Sequence, residues 1–291
     1  MRHQNRGFRT GTIGARAALL LAALAMLWAP WGGALGAEGP AESGGAPVYG
    51  ANAPADFPAG ADLTYRTTAV MMLGGLPLTL HATTTTRWQR DAMRYDMHLH
   101  TDTVEFTQFS SGQIASDGAL IPDRYSEKRP FHDTETVVID WTHRHIRFGA
   151  AAPAQAPPPG AQDRLSLQFT LARLRRQFPE RFPVGSVYAA HLIGPRDVDL
   201  WNFVVTGDDT IETGRGPMRT THFAARRSVN SVEETMDLWL GADVYWMPVR
   251  IRMVDRKQSV IDSVLQKAEL RAYVISPAPA PAAARTPAQT R

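Results

Sequence analysis

From about residue 61 to residue 274, apolar and polar side chains alternate with the two-residue period of a β-strand over most of the chain. The clearest pair of strands is 78–88 and 95–104, turning near Arg90-Asp91-Ala92. With Arg90 set against Met93, Trp88 falls opposite Tyr95, Thr86 opposite Met97 and Thr84 opposite Leu99. Those residues share one face with Leu78, Leu80 and Ala82, and that face is read as the core side. The same alternation predicts strands at 63–72, 106–111, 124–128, 134–140, 146–148, 187–193, 197–206, 218–225, 233–240, 249–254 and 260–274. Turn chemistry separates many of them: Gly74-Gly75, Asp117-Gly118, Gly194-Pro195, Gly207-Asp208 and 214–217. Ladders this numerous and short predict a mainly β fold, a curved antiparallel sheet or open β-barrel.

One stretch, at about 163–178, has helical spacing instead. Asp163 stands as N-cap behind a Pro/Gly loop. Leu165, Phe169, Ala172 and Leu174 then fall on one side, widened by Leu167, Leu171 and Phe178. Arg173, Arg175, Arg176 and Gln177 are expected to face outward, and Pro179 ends the helix. A lone apolar-faced helix among strands is expected to pack across the mouth or the concave side of the sheet.

Composition divides the chain. Residues 1–37 read as a cleavable secretory signal peptide: basic residues, the apolar run Ala17 to Trp28, then small residues up to Ala37. Four of the 31 Lys and Arg lie in this leader, so 27 remain against 28 acidic residues in the exported part. A near-neutral product argues against a nucleic-acid partner, which needs a basic face. The apolar run is short for a membrane span, so no spanning segment is expected after cleavage. The chain has no cysteine, which removes disulfides, thiolate chemistry and a lipidated tether. Ala, Gly and Pro dominate 38–60, 150–160 and 275–291, read as disordered linker, flexible loop and disordered tail around one β-rich domain, 61–274.

Three segments carry a resemblance: Ser111-Gly-Gln-Ile-Ala-Ser-Asp-Gly-Ala-Leu-Ile-Pro-Asp-Arg-Tyr125, Gln162-Asp-Arg-Leu-Ser-Leu-Gln-Phe169 and Asp237-Leu-Trp-Leu-Gly-Ala-Asp-Val-Tyr-Trp-Met-Pro-Val-Arg-Ile-Arg252. Together they resemble the exported bacterial family known as domain of unknown function 3108. The resemblance implies a curved antiparallel sheet partly wrapped around a helix, similar in general plan to periplasmic lipoprotein carriers. It implies no activity, because fold does not fix function.

The candidate chemistry is sparse. His98, His100 and Asp102 alternate on one strand, with His81 opposite Asp102 in the register above; N and O ligands of this kind suit Zn²⁺. The same register places them on the face away from Trp88 and Leu99, where a solvated polar surface is the simpler reading. His143-Arg144-His145 beside Asp140 reads as a hairpin turn. No nucleophile elbow and no phosphate loop occurs, and no cofactor is expected. Asp163 and Arg164 read first as a helix cap and a partner for a strand carboxylate, and second as ligand contacts. Arg250 and Arg252 share one face of their strand; turned inward they would bind an anionic headgroup. Trp88, Tyr95, Trp201 and Trp239 would line an apolar pocket if the concave face were open, and otherwise form the core.

These readings favour a soluble periplasmic, non-catalytic binding or carrier-like module for a lipid or other amphiphile. An envelope assembly factor that binds a protein partner through a sheet edge is the alternative. A His-dependent metallohydrolase is the third.

Overall fold

The computed structural model describes residues 57–271, apart from 74–75, 104, 150–154, 230–231 and 256. The predicted signal peptide, most of the spacer and the tail lie outside the described residues. Fourteen strands form one sheet. The first seven are β1 (Gly60–Leu73), β2 (Leu76–Arg90), β3 (Arg94–Thr101), β4 (Phe106–Ile114), β5 (Leu120–Lys128), β6 (Glu135–Asp140) and β7 (His145–Phe148). After the short β8 (Gln162–Asp163) comes helix α1 (Ser166–Gln177). Then follow β9 (Val187–Ile193), β10 (Val198–Thr213), β11 (Gly216–Val229), β12 (Val232–Gly241), β13 (Pro248–Val254) and β14 (Val260–Arg271).

Neighbours in sequence are neighbours in space, as hairpin connections favour. The two runs meet where β1 pairs with β14, giving the order β7 to β1, then β14 to β8. Pairing is antiparallel except between β8 and β9. The sheet is mainly β and open in its hydrogen bonding, yet it curls until its ends touch through side chains. Tyr125, Val137, Ile139, Ile146 and Phe148 from β5–β7 pack with Ala161 and Ile193. Arg196, in the β9–β10 turn, pairs with Glu135 of β6 across the same seam.

The helix lies inside this curl, and its sequence shows why. Phe169 packs with Trp88 and Tyr95 in one apolar cluster, while Leu167, Leu171 and Leu174 pack with Trp201, Phe203 and Phe223 in another. A helix with apolar contacts on opposite sides is buried. Arg173 was expected to face water and is only 2% exposed. Its Nε donates to Gly118 O at 2.6 Å and its guanidinium lies over the Phe57 ring. The carbonyl and the ring offset part of the loss of water that burial imposes.

Three further expectations are corrected. The β2–β3 register is two residues longer than expected: Arg90 pairs with Tyr95, Trp88 with Met97 and Thr84 with Thr101. Asp91 causes this, because its Oδ1 accepts the N–H groups of Met93 and Arg94 at 2.8 and 2.7 Å and widens the turn. A two-residue shift preserves the faces, so the core side was read correctly. The end of the predicted spacer belongs to the fold: Phe57 is buried, and Trp88 Nε1 donates to Pro58 O at 3.0 Å. In the predicted loop 150–160, Gln155 exchanges backbone hydrogen bonds with Ile146.

Candidate functional site

In one half of the curl the inward positions of β14, β1, β2 and β3 carry small hydroxyl side chains. Thr67 Oγ1 lies 2.9 Å from Ser263 Oγ and 2.8 Å from Thr84 Oγ1, and Thr84 Oγ1 lies 3.0 Å from Thr101 Oγ1. These four hydroxyls form a ladder across four strands. Small side chains leave room beside the helix, so a cleft opens between the ladder and Gln168, flanked by Ile251 and Met253 on one side and Gln108 on the other. The cleft holds about 730 Å³ of empty space, its open mouth included. Ala69, Leu99, Phe106 and Ile261 make the rest of its lining largely apolar. Tyr65 closes one side; its hydroxyl donates to Pro248 O at 2.9 Å, and burial raises the phenol far above its ordinary range.

The apolar lining runs out of the mouth along the β1–β2 hairpin. Pairing of β2 with β3 begins at Thr84 and pairing of β1 with β14 stops at Val70, so the hairpin tip extends past both neighbours. Leu78 and Leu80 continue the cluster of Ala69, Met71 and Phe106, and Leu76 is 73% exposed. Phe131 follows Pro130 of the cleft wall with a φ of 62° and is 65% exposed.

A buried charged group stands behind Gln108. Its Nε2 donates to Tyr125 Oη at 2.8 Å and to Glu127 Oε2 at 3.0 Å, and Tyr125 also donates to Glu127. Arg129 and Arg164 flank Glu127 at 3.6 and 3.7 Å. Next to it, Asp163 starts the helix: its Oδ1 accepts the N–H groups of Leu165 and Ser166 at 2.9 and 2.8 Å, and Oδ2 accepts Ser110 Oγ. Burial raises the Asp163 carboxyl to about 6, against the opposing pull of the hydrogen bonds from Ser110, Ser166 and Leu165. Asp163 and Arg164 are thus cap and ion-pair partner, and neither lines the cleft.

The aromatic candidates are packed rather than open. Trp88 is sandwiched between Tyr95 at 5.9 Å and Phe169 at 5.2 Å, and Trp201 stacks near Phe203. Arg250 and Arg252 take the face of β13 opposite Ile251 and Met253, and Trp239 is buried in the same apolar cluster as Trp88. There Arg250 grips Asp262 with two hydrogen bonds of 2.9 and 2.6 Å and covers Trp239. No inward anionic site forms from these arginines.

The histidine set is also dispersed. His81, His98, His100 and Asp102 are all exposed, and the corrected register puts Thr83, not His81, against Asp102. His98 packs on Phe109, and Asp102 accepts Thr83 N–H and Thr103 Oγ1. Among the described residues no three His, Asp or Glu side chains gather closely enough to share a metal ion. His143 is a turn residue, as expected, bonded to Asp140.

Sequence reasoning missed two features. The first is the hydroxyl ladder, whose only signal was the run Thr83–Thr86 on a strand. The second is an outer-face cluster in which His222 Nδ1 lies 2.7 Å from Thr206 Oγ1 and Nε2 lies 3.0 Å from Asp237 Oδ1. Trp239 covers the imidazole at 4.2 Å and Arg226 shares Asp237, so the group acts as a strut linking β10, β11 and β12.

Residues 64–263 match the family described as "Protein of unknown function (DUF3108)". No curated protein matches the chain. Among solved structures, a β-barrel-like protein of domain of unknown function DUF1849 from Brucella abortus matches at 11% identity, covering 74% of this chain and 98% of its own, with a TM-score of 0.44. A protein with a YmcC-like fold from Bacteroides fragilis matches at 9% identity over 73% of this chain and 98% of its own, with a TM-score of 0.29. A DUF1329 family protein from Desulfovibrio piger matches at 7% identity over 74% of this chain and 87% of its own, with a TM-score of 0.25.

Proposed function

The chain belongs to the DUF3108 family of unknown function, and we propose from the cleft itself that it is a non-catalytic binding or carrier-like module for an amphiphile. One observation carries this reading: an apolar cleft inside the curl is continuous with the exposed apolar tip of the β1–β2 hairpin. Each methylene moved from water into such a lining is worth about 0.8 kcal/mol. The exposed strip gives an apolar chain a sheltered way in. The leader pattern supports an exported, periplasmic address for the module, and no described helix is long and apolar enough to cross a membrane.

The test is native mass spectrometry of the mature protein from the envelope fraction, followed by organic extraction. A stoichiometric amphiphile that is lost in Ala69→Phe, which fills the cleft, is the expected result. A clean apo mass, with no uptake of added dodecanol by either form, overturns the reading.

A second reading, a protein-binding envelope factor, is favoured by one feature. β8 covers only Leu192 and Ile193 of β9, so the stretch from Val187 to His191 is a free edge beside exposed Val184 and Leu200. Such an edge accepts an added strand. Crosslinking from position 189 to an envelope protein would support this reading, and its absence in cells would oppose it.

A further inference from the structure

We infer that the cleft selects amphiphiles whose buried polar group is uncharged, such as a fatty alcohol or a monoacylglycerol; this rests on the binding reading above. The lining residues are apolar, hydroxyl or amide groups, and the one titratable member, Tyr65, is engaged with Pro248 O. Behind Gln108, Arg129 and Arg164 are drawn to Glu127. A carboxylate or phosphate entering the cleft would therefore meet no lining cation, because Arg129 and Arg164 stand behind the wall and are already paired with Glu127. An ammonium would find that same carboxylate covered by the Gln108 amide. A charge left in an apolar lining without a partner is costly, whereas a neutral polar group needs only a hydrogen bond.

The ladder supplies that bond. Four hydroxyls bring four donors, and three bonds join them. Whichever way the bonds run, one O–H of the four is left over to donate. Thr86 adds another hydroxyl to the wall, and Gln108 and Gln168 use their amide N–H groups elsewhere, leaving carbonyl oxygens as acceptors. Hydroxyl donors with amide acceptors suit an ester, ketone or alcohol.

The experiment titrates the mature chain with dodecan-1-ol, monododecanoylglycerol and dodecanoate below their micelle concentrations, at a pH where the acid is ionised. Displacement of an apolar fluorophore reports the affinities. The expected result is that both neutral probes bind at least about tenfold more tightly than dodecanoate, equivalent to about 1.4 kcal/mol. Thr84→Val, which keeps the shape but interrupts the ladder, should narrow that ratio, and Thr84→Ser should restore it. If Thr84→Val melts early, the ratios for the native chain and Thr84→Ser decide alone. Equal affinity for dodecanol and dodecanoate overturns the selectivity while leaving the binding reading intact. No binding of any probe, with Ala69→Phe behaving like the native chain, overturns both.

Discussion

Ser110 Oγ donates a 2.6 Å hydrogen bond to Asp163 Oδ2, tying the middle of β4 to the residue whose carboxylate starts the buried helix. The pair joins the two halves of the sheet, since β8 carries Asp163 at the far end of the strand order.

That carboxyl sets a pH dependence. Burial, the largest cause, raises it from an ordinary 3.8 to about 6, so the folded chain holds this proton more tightly than the unfolded chain. Its contribution to stability is full below about pH 4 and is lost as pH rises to about 6, on the order of 3 kcal/mol. Urea unfolding across this range should show native stability falling relative to Asp163→Asn, which cannot titrate. Parallel profiles would refute the assignment.

Arg164 should be costly to remove. Arg164→Leu leaves Glu127, which is fully buried, with Arg129 at 3.6 Å as its remaining guanidinium partner. Breaking a buried pair from one side costs about 3–5 kcal/mol. The urea midpoint should fall accordingly, and adding Glu127→Gln should recover part of the loss.

Gly112 tolerates no side chain. A Cβ there would stand 2.0 Å from Ile121 O and 2.8 Å from Pro122 Cα, both backbone atoms at the β4–β5 bulge. Gly112→Ala should cost about 1–3 kcal/mol or more, read as a lower melting temperature.

The exposed tip should separate stability from uptake. Leu76→Ser and Phe131→Ser remove surface apolar groups and should change stability by no more than about 0.5 kcal/mol. If the strip is the way in, both should slow transfer of dodecanol from vesicles to the protein. Unchanged transfer rates would detach the strip from binding.

The strands were legible because alternation is a property of single strands, and each predicted segment appears in the sheet. The faces of β2 and β3 survived a misread turn because the error was two residues. The register itself was hidden in the side chain of Asp91, which acts on the backbone rather than through hydrophobic pattern. Arg173 was misplaced for a related reason. Helical spacing shows one apolar stripe, but a helix enclosed by a curled sheet buries its polar side too, and the Gly118 carbonyl that receives Arg173 comes from a distant turn. The cleft was least legible. Pattern reading looks for large apolar groups, and Trp88, Tyr95 and Trp201 are large because they fill space. The cleft exists where Thr67, Thr84, Thr101 and Ser263 do not.

The seam between β5–β7 and β8–β9 makes this molecule a scroll rather than a tube. A closed barrel ties its strand number to its stagger, so that no strand can be added without re-registering the whole circumference. Here side chains such as Ile146, Ile193 and the Glu135–Arg196 pair join the ends in place of a hydrogen-bonded ladder. Girth is thereby freed from that arithmetic: a strand added beside β7 or β8 would leave every existing ladder in register.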